Sequence, residues 1–342
     1  MFFASDTGAP IAPQIMAALQ RANDGFARSY GADAATERMR DLVRLTFDAP
    51  EAAVYLVTSG TAANALSIAL FAPPWSAVLC HESSHVAQDE CGAPEFYSGA
   101  RLVQMPGKHG KFSPDTLSDA LGRIHHGDVH SLQRGMVSLA NLTEAGTVYT
   151  TAEIAALTAV ARAHGMGFHL DGARLANALA ATGASPAAMT WAVGIDVLSL
   201  GANKNGCMGV EAVVIFDPAK AWEFELRRKR GGHLLSKQRF LAAQIEAYLT
   251  DNLWLRLAAQ ANAMGQRLAQ GLATIPGARL QHPAEANILF PEWPMGTHDR
   301  AEAKGAIYDR MPAAPKREAC RLVTSWSTTE QDVDALLTVL KP

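Results

Sequence analysis

A single lysine, Lys204, stands in a turn of small residues between Gly201 and Gly206. Residues 195–200, which precede the turn, form an apolar run that predicts a strand. An ammonium group is flexible and strongly hydrated, so a lysine is an unusual choice for a tight turn at the end of a strand. If the surroundings lower its pKa, its free amine can form an imine with a carbonyl compound. Taken alone, the lysine fits an ordinary exposed loop better than it fits an imine-forming site.

A second turn has the composition of an anion-binding site. Residues 53–57 predict a strand and residues 62–70 predict a helix, and Ser59, Gly60 and Thr61 lie between them. The free N–H groups and the dipole of a first helical turn attract an anion, and the two hydroxyl groups add donors. Serine and threonine also cap helices without binding any ligand. The pattern therefore leaves both capping and anion binding open.

An aspartate, Asp171, ends a third predicted strand at residues 167–171. In parallel sheets, ligands bind at the carboxyl ends of strands. Because Lys204, Asp171 and the turn at 59–61 all follow predicted strands, we expect them to lie close together. Pyridoxal 5'-phosphate requires a lysine for its aldehyde, a carboxylate that keeps its pyridine nitrogen protonated and a turn for its phosphate. The residues therefore predict this cofactor.

Strands and helices alternate along the first two thirds of the chain. This rhythm predicts an α/β fold with a mostly parallel sheet between two layers of helices, and residues 210–216 could return antiparallel after the lysine turn. From about residue 236, long helical segments, including 239–272, and strands occur in separate blocks. We therefore expect a large α/β domain over residues 1–235 and a small α+β domain over residues 236–342.

The composition is typical of an ordinary globular protein, with 49% hydrophobic and 18% charged residues among 342. A net charge of -3 gives no reason to expect nucleic acid or a membrane surface as a partner. The first residues lack a basic segment followed by an apolar run, so we expect no secretory signal. The four cysteines are scattered without the spacing of a metal site, which indicates reduced thiols and a cytoplasmic location.

Two segments resemble the threonine aldolase branch of the fold-type I pyridoxal-phosphate enzymes. They are residues 168–178, FHLDGARLANA, and residues 196–206, DVLSLGANKNG. The resemblance extends from Ser5 to the last predicted helix. It implies an aspartate aminotransferase-like fold and retro-aldol cleavage of L-β-hydroxy-α-amino acids, of the L-threonine or L-allo-threonine type, to glycine and an aldehyde. It also implies a homo-oligomer, either a dimer or a tetramer, with shared active sites.

The resemblance implies a role for each matching residue. Lys204 would be the Schiff-base lysine and Asp171 would pair with the pyridine nitrogen. The phosphate would be held by Gly60 and Thr61, with the hydroxyl of Ser59 beside them. His85 would stack on the cofactor ring, and Arg174 would lie beside the cofactor. Arg174, Arg321 and Ser5 would lie near the substrate carboxylate, and His130 would lie near the β-hydroxyl. Tyr30 would belong to a loop that reaches a neighbouring subunit's active site.

The chemistry of the residues agrees with these roles. Arginine binds a carboxylate through two parallel hydrogen bonds, and Arg174 directly follows the strand that ends at Asp171. Arg321 opens a predicted strand of the small domain and could reach a cleft between the domains. Retro-aldol cleavage also needs a base for the β-hydroxyl proton, and histidine, with a pKa near neutrality, is the natural candidate.

Two positions depart from the family pattern. The family often has His and Asn before the glycine at 146, where this chain has Thr143 and Glu144. Asn203, directly before the lysine, replaces a residue that is commonly Thr or Ser. These changes leave the contacts around the ring hydroxyl and the substrate open, and they indicate a subgroup.

Two alternatives stay open. The same cofactor chemistry supports β-elimination, racemisation or transamination of amino acids. A protein without the cofactor would be a non-catalytic binding fold or a zinc hydrolase, because His81 and His85 match the pattern H-E-x-x-H. That pattern binds zinc only on a helix, whereas here it directly follows a predicted strand, so we expect no metal.

Overall fold

A seven-stranded sheet forms the centre of the structure, a computed structural model that describes residues 1–341. Its strands are β1 (Ala53–Val57), β2 (Ser76–His81), β3 (Arg101–Met105), β4 (Gln133–Ala140), β5 (Gly167–Gly172), β6 (Val197–Gly201) and β7 (Glu211–Ile215). They lie side by side in the order β1-β7-β6-β5-β4-β2-β3. The pairs from β3 to β6 are parallel, and β7 is antiparallel to both β6 and β1. The predicted mostly parallel sheet and its antiparallel return are confirmed.

Helices cover both faces of this sheet and continue into the C-terminal part of the chain. They are α1 (Pro13–Ala22), α2 (Ala34–Thr46), α3 (Gly60–Phe71), α4 (His85–Gln88), α5 (Ala93–Ser98), α6 (Pro114–Gly122), α7 (Thr151–Ala163), α8 (Leu175–Thr182), α9 (Ala221–Arg230), α10 (Arg239–Leu249), α11 (Leu253–Leu272), α12 (Thr297–Ala303) and α13 (Glu330–Leu340). Among residues 1–341, no helix combines the length and the apolar character needed to cross a membrane.

Alternate residues of each strand enter two separate cores, because successive side chains point to opposite faces of a sheet. In β1, Leu56 packs in the larger core with α2, α7, α8 and α10, whereas Val57 packs in a second core with α3 and α9. Both faces are therefore buried, which explains why these strands read as continuous apolar runs. The sheet is consequently rigid, and its edge at the carboxyl ends of the parallel strands is the place where polar groups can gather.

A smaller antiparallel sheet lies in the C-terminal part. Its strands are β8 (Arg279–Leu280), β9 (Ile288–Leu289), β10 (Pro291–Pro294), β11 (Asp309–Met311) and β12 (Arg317–Val323). A third core joins this sheet to α11, α12 and α13, and it includes Phe3 from the N-terminal segment. The N-terminal segment is therefore part of the small sheet's packing, although the sequence assigned it to the large domain.

The long helix expected over residues 239–272 is wrong in one respect, because it is broken between α10 and α11. Asp251 and Asn252 have left-handed backbone conformations, with φ of 51° and 55°. Asp and Asn tolerate this conformation better than most residues. After the break, Trp254 packs beside Tyr248 in the larger core. The boundary between residues 235 and 236 stays a prediction, and α10 packs with the large-domain helices α1 and α2.

The loop after β4 meets the small sheet at a glycine. Gly146 has φ of +78°, and a Cβ atom built on it would lie 2.4 Å from the carbonyl oxygen of Ile288 in β9. No side chain fits at that distance, so the two sheets approach closely only because residue 146 is a glycine.

We expect Gly146→Ala to destabilise the fold. A suitable control is Gly183→Ala, since Gly183 has a similar φ of +70° but open space around its Cβ position. The control carries only the backbone strain, about 1 kcal/mol, whereas the Gly146 variant adds a steric clash worth about 1–3 kcal/mol. Urea denaturation of both variants measures the difference. Equal losses would contradict the close approach at Ile288.

Candidate active site

The predicted residues meet at the carboxyl edge of the large sheet. Lys204 lies in a short 3-10 turn, Asn203–Asn205, directly after β6, and Asp171 lies near the end of β5. Both line one small cavity together with Gly60, the first residue of α3, and His85, the first residue of α4. An outer cleft of about 840 Å³ adjoins this cavity. The expectation that lysine, aspartate and turn lie close together is therefore confirmed.

The surroundings of Lys204 favour a free amine. The positive charge of Arg174, together with burial, lowers the pKa of the lysine, while the carboxylates of Asp6 and Asp171 act in the opposite direction. The turn itself is held by Glu211 of β7, whose Oε2 accepts a hydrogen bond from the backbone N–H of Ala202 at 2.7 Å. The lysine is therefore positioned by the backbone and activated by a neighbouring cation, as a nucleophilic amine requires.

Asp171 is held by two hydrogen bonds. Its Oδ2 accepts from Asn64 Nδ2 at 2.8 Å, and its Oδ1 accepts from the backbone N–H of Ala173 at 3.0 Å. Asn64 belongs to α3, so the carboxylate is fixed from two elements at once. The sequence analysis missed Asn64, although it lies one helical turn after the hydroxyl-rich turn, where a side chain can face the same cavity.

The histidine of the FHLDGAR segment, His169, has a structural role. His169 is buried, and its two ring nitrogens each lie 2.9 Å from a serine hydroxyl, Ser138 Oγ on β4 and Ser199 Oγ on β6. Burial lowers its pKa to about 4, so the ring is neutral near neutral pH. It links the neighbouring strands β4, β5 and β6 two residues before Asp171, and it does not line the cavity.

The turn at residues 59–61 is both capped and open. Ser59 is the N-cap of α3, and its Oγ accepts a hydrogen bond from the backbone N–H of Ala62 at 3.2 Å. A Cβ atom at Gly60 would meet nothing within 4 Å, so there is free space beside the start of the helix. Thr61 is half-buried at the same turn. The capping interpretation is therefore confirmed, and the space that a phosphate would need is present.

His85 is oriented by a buried carboxylate. Its Nδ1 lies 2.8 Å from Glu90 Oε1, so this nitrogen carries a proton and Nε2 is the free ring nitrogen. The hydrogen bond that His85 Nδ1 donates to Glu90 raises the pKa of His85, although burial opposes this shift. The same Glu90 oxygen accepts from Asn64 Nδ2 at 2.8 Å. A chain of hydrogen bonds thus runs from His85 through Glu90 and Asn64 to Asp171.

Arg174 forms an ion pair with a protein carboxylate, that of Asp6, whereas the resemblance implied contacts with the cofactor and the substrate. Its Nε donates to Asp6 Oδ2 at 2.6 Å and its Nη2 donates to Asp6 Oδ1 at 2.9 Å. Burial is the largest influence and raises the pKa of Asp6, but the charge and hydrogen bonds of Arg174, with the charge of Lys204 and the hydrogen bond of Asn287, together outweigh it and lower the pKa. The two-pronged face of the guanidinium is therefore occupied by a protein carboxylate, and only Nη1 is left for another anion. The sequence analysis missed Asp6.

Arg321 and Ser5 line the outer cleft together with Arg174, and their roles near a substrate carboxylate stay predictions. Arg321 Nη2 donates to Asp309 Oδ2 at 2.6 Å and to the carbonyl oxygen of Ala4 at 3.1 Å. Ser5 Oγ lies 2.7 Å from Thr7 Oγ1. The chain therefore brings two arginines and a hydroxyl to one side of the cleft.

Two predicted residues do not reach the cleft of their own chain. His130 is exposed in the turn before β4, which is the amino end of that strand, whereas the cavity lies at the carboxyl end. Its expected place near the β-hydroxyl is therefore not met within one chain. Tyr30 is exposed, and its ring is covered by Lys229 Nζ at 4.9 Å. Its role in a neighbouring subunit stays a prediction.

The zinc pattern falls on two different elements. His81 is the last residue of the strand β2 and His85 is the first residue of the helix α4. His81 is engaged by its own surroundings, with Nδ1 2.8 Å from Ser83 Oγ and Nε2 3.1 Å from the carbonyl oxygen of Gly107. The two histidines therefore do not share one helical face. In residues 1–341, no three His, Cys, Asp or Glu side chains form a group that could hold a metal ion.

The two departures from the family pattern have distinct positions. Asn203 Oδ1 accepts a hydrogen bond from the backbone N–H of Gly209 at 2.9 Å, so this side chain fixes the lysine turn. Glu144 lines the cavity, and its Oε1 accepts from the backbone N–H of His85 at 2.7 Å. Thr143 is buried behind it, 2.8 Å from the hydroxyl of Thr147.

Comparison with known proteins agrees with this geometry. A family model described as beta-eliminating lyase matches residues 3–292. Low specificity L-threonine aldolases from Pseudomonas sp. and Pseudomonas aeruginosa are each 38% identical over 336 residues, which is 98% of this chain and 95% of each relative. The structure of Leishmania major threonine aldolase is 30% identical with a TM-score of 0.93, covering 99% of this chain and 98% of that chain.

A more distant match extends the comparison of folds. Serine palmitoyltransferase from Sphingomonas wittichii has a TM-score of 0.74 at 16% identity, covering 100% of this chain and 86% of that chain. At this identity the likeness concerns the fold alone. Together the matches confirm the predicted fold-type I architecture.

We expect Glu90→Gln to lower the pKa of His85, because the substitution removes the negative charge that stabilises the protonated ring. A ¹H–¹⁵N NMR titration of the histidine ring measures this change. Glu82→Gln is the matched control, since Glu82 is exposed three residues before His85 and its side chain does not contact the ring. An unchanged midpoint in the Glu90 variant would show that the contact does not control the protonation of His85.

Asp6→Ala should destabilise the protein by about 1–3 kcal/mol, because it leaves the charge of Arg174, whose side chain is 14% exposed, without its partner. The contribution of this pair is present at neutral pH and is lost in acid as the Asp6 carboxyl becomes protonated. The matched control is Asp334→Ala, which removes a similar two-pronged pair with Arg267 on the surface and should change stability little. Urea denaturation at neutral pH compares the variants, and equal effects would contradict a buried pair.

Proposed function

The chain belongs to the beta-eliminating lyase family, and from this premise we propose that it is an aldehyde-lyase acting on L-β-hydroxy-α-amino acids of the L-threonine and L-allo-threonine type. The products would be glycine and an aldehyde. The observation that carries the proposal is the meeting of Lys204, Asp171 and the open turn at Gly60 in one cavity that opens into a cleft with two arginines. The names of the Pseudomonas relatives support the same reaction.

The cavity fits pyridoxal 5'-phosphate, which when bound supplies an electron sink for the bond-breaking step. Lys204 offers an amine of lowered pKa for the aldehyde group. Asp171, held by Asn64 and the Ala173 N–H, would keep a proton on the pyridine nitrogen. The phosphate would occupy the free space beside Gly60, at the N-terminus of α3, where the helix dipole and the hydroxyls of Ser59 and Thr61 favour an anion.

The remaining residues would bind and orient the substrate. Arg321 and Ser5 would receive its carboxylate, with the Nη1 group of Arg174 as a further donor. His85, whose Nδ1 is held by Glu90, presents its other ring nitrogen as a group that can stack beside the cofactor and exchange a proton. His130 would take part only if a neighbouring subunit brought it to the cleft.

Assembly and location are part of the same proposal. We propose a homo-oligomer, a dimer or a tetramer, in which Tyr30 contributes to a neighbouring cleft, since its side chain is exposed and outside its own cleft. No nucleic acid or membrane partner is expected. A cytoplasmic location is supported by the four cysteines, all of which are free thiols.

The test uses the purified protein loaded with pyridoxal 5'-phosphate. We expect a visible absorbance band that borohydride bleaches, and aldehyde release from L-threonine. Lys204→Ala should remove the band and lower turnover by several orders of magnitude, whereas the exposed Lys237→Ala should leave both unchanged. Release of ammonia or a keto acid without aldehyde would contradict the aldolase proposal in favour of another reaction of the family. A protein that binds no cofactor would overturn both.

A further inference from the structure

Glu144 stands at the junction of the inner cavity and the outer cleft. Four residues line both spaces, and they are His85, Glu144, Arg174 and Lys204. A substrate whose amino group is near Lys204 and whose side chain extends into the cleft must place its Cα–Cβ bond at this junction. Arg174 is a permanent cation and the amine of Lys204 would be engaged by the cofactor aldehyde, so Glu144 and His85 are the remaining groups at the junction that can accept a proton.

The two oxygens of Glu144 have separate surroundings. Oε1 accepts a hydrogen bond from the backbone N–H of His85 at 2.7 Å, which satisfies a donor at the start of α4. Within residues 1–341, Oε2 accepts no hydrogen bond from another residue, and the half-buried side chain lines the cleft. One oxygen therefore fixes the position of the carboxyl group and the other is available to a ligand.

The charged and titratable groups around Glu144 come from several elements. They are Asp171 on β5, His85 on α4, Lys204 after β6, Arg174 before α8, Cys80 on β2 and Tyr149 before α7. Burial, with the negative charge of Asp171, raises the pKa of Glu144 to about 7, and the His85 N–H opposes this shift. A carboxyl group that titrates near the working pH can both accept and release a proton efficiently.

We propose that Glu144 is the catalytic base for the β-hydroxyl proton, which deepens and rests on the proposed function. The Glu144 carboxylate takes the proton from the β-oxygen while the Cα–Cβ bond breaks and the aldehyde C=O bond forms. The electron pair of the broken bond stays with the Cα fragment. The aldehyde leaves, the proton passes from Glu144 to water, and Cα takes one proton from water, so the protons balance.

The neighbouring histidine has a different part in this arrangement. Because Glu90 raises the pKa of His85, the ring holds its proton more firmly, and a smaller fraction of it is unprotonated and able to accept a proton at a given pH. The two groups are joined by the backbone hydrogen bond at 2.7 Å, so Glu144 also sets where α4 begins. His85 is therefore suited to stack beside the cofactor and to donate a proton, and Glu144 is suited to accept the β-hydroxyl proton.

The test compares Glu144→Gln with the loaded wild-type enzyme. Glutamine keeps an oxygen that can accept from the His85 N–H, so the fold should be retained, but it cannot take a proton. We expect aldehyde release to fall by about 10²–10⁴-fold. In the wild type, kcat/KM should rise with pH up to about 7 as the carboxylate forms, and in the variant this rise should be lost.

A partial reaction separates a base from a structural residue. Exchange of the glycine Cα hydrogen with D₂O needs the same bound cofactor and the same carboxylate contacts but no β-hydroxyl. We expect Glu144→Gln to exchange glycine at a rate within about threefold of the wild type. Equal losses of cleavage and exchange would overturn the proposal, because they would indicate a general distortion of the site.

A readout without turnover uses ¹³C-labelled glutamate carboxyl groups in the cofactor-free protein. The wild type should show two resonances with midpoints near pH 7, those of Glu144 and Glu211; one of them should be absent from Glu144→Gln, and both should be present in the control Glu318→Gln. Glu318 is a suitable control because it also accepts from backbone N–H groups, those of Gly296 and His298, and does not line the cleft.

Failure of the wild type to release aldehyde would count against the proposed function. Wild-type cleavage with an unchanged pH profile in Glu144→Gln would count against Glu144 alone.

Discussion

The buried ion pair between Arg174 and Asp6 is the interaction on which the site most depends. Arg174 lies directly after β5, and Asp6 comes from the N-terminal segment that packs with the small sheet. Asp6 also accepts a hydrogen bond from Asn287 Nδ2 at 3.2 Å, next to β9. The pair thus joins the large sheet, the N-terminal segment and the small sheet at one point. The same guanidinium lowers the pKa of Lys204, so this contact couples the assembly of the chain to the state of the amine.

Three glutamates, of which Glu90 and Glu211 are buried and Glu144 is half-buried, form a second layer around the groups that face the cavity. Glu90 orients the ring of His85, Glu144 accepts from the backbone where α4 begins, and Glu211 holds the turn that carries Lys204. Each one satisfies an N–H group that would otherwise be buried without a partner. For all three, burial raises the pKa. Glu144 differs from the other two because it also lines the outer cleft, where a substrate can reach it.

The sequence predicted those parts of the structure that local patterns determine. The parallel sheet follows from alternating apolar runs and helical spacing, and Lys204 and Asp171 were found because both directly follow such runs. Asp6 could not be found in this way, since it meets Arg174 across 168 positions and no local pattern records that contact. Glu90 and Asn64 were missed because burial, which gives them their role, is not visible in one sequence. His130 lies at the amino end of β4, outside the cleft of its own chain, which a resemblance between residues does not reveal, and its role stays a prediction.

The departures from the family pattern have unequal consequences for chemistry. Asn203 stands where the family pattern has a hydroxyl residue. Its side chain accepts a hydrogen bond from the backbone N–H of Gly209, so it stabilises the lysine turn. Glu144 is one of the pair at which the sequence departs from the His and Asn of the family pattern, and it brings a carboxyl group to the junction of cavity and cleft. A carboxyl group near Asp171 is costly as an anion, and the cost is lower when it holds a proton. The site therefore contains a group whose proton is easily exchanged at the position where the substrate must lose one.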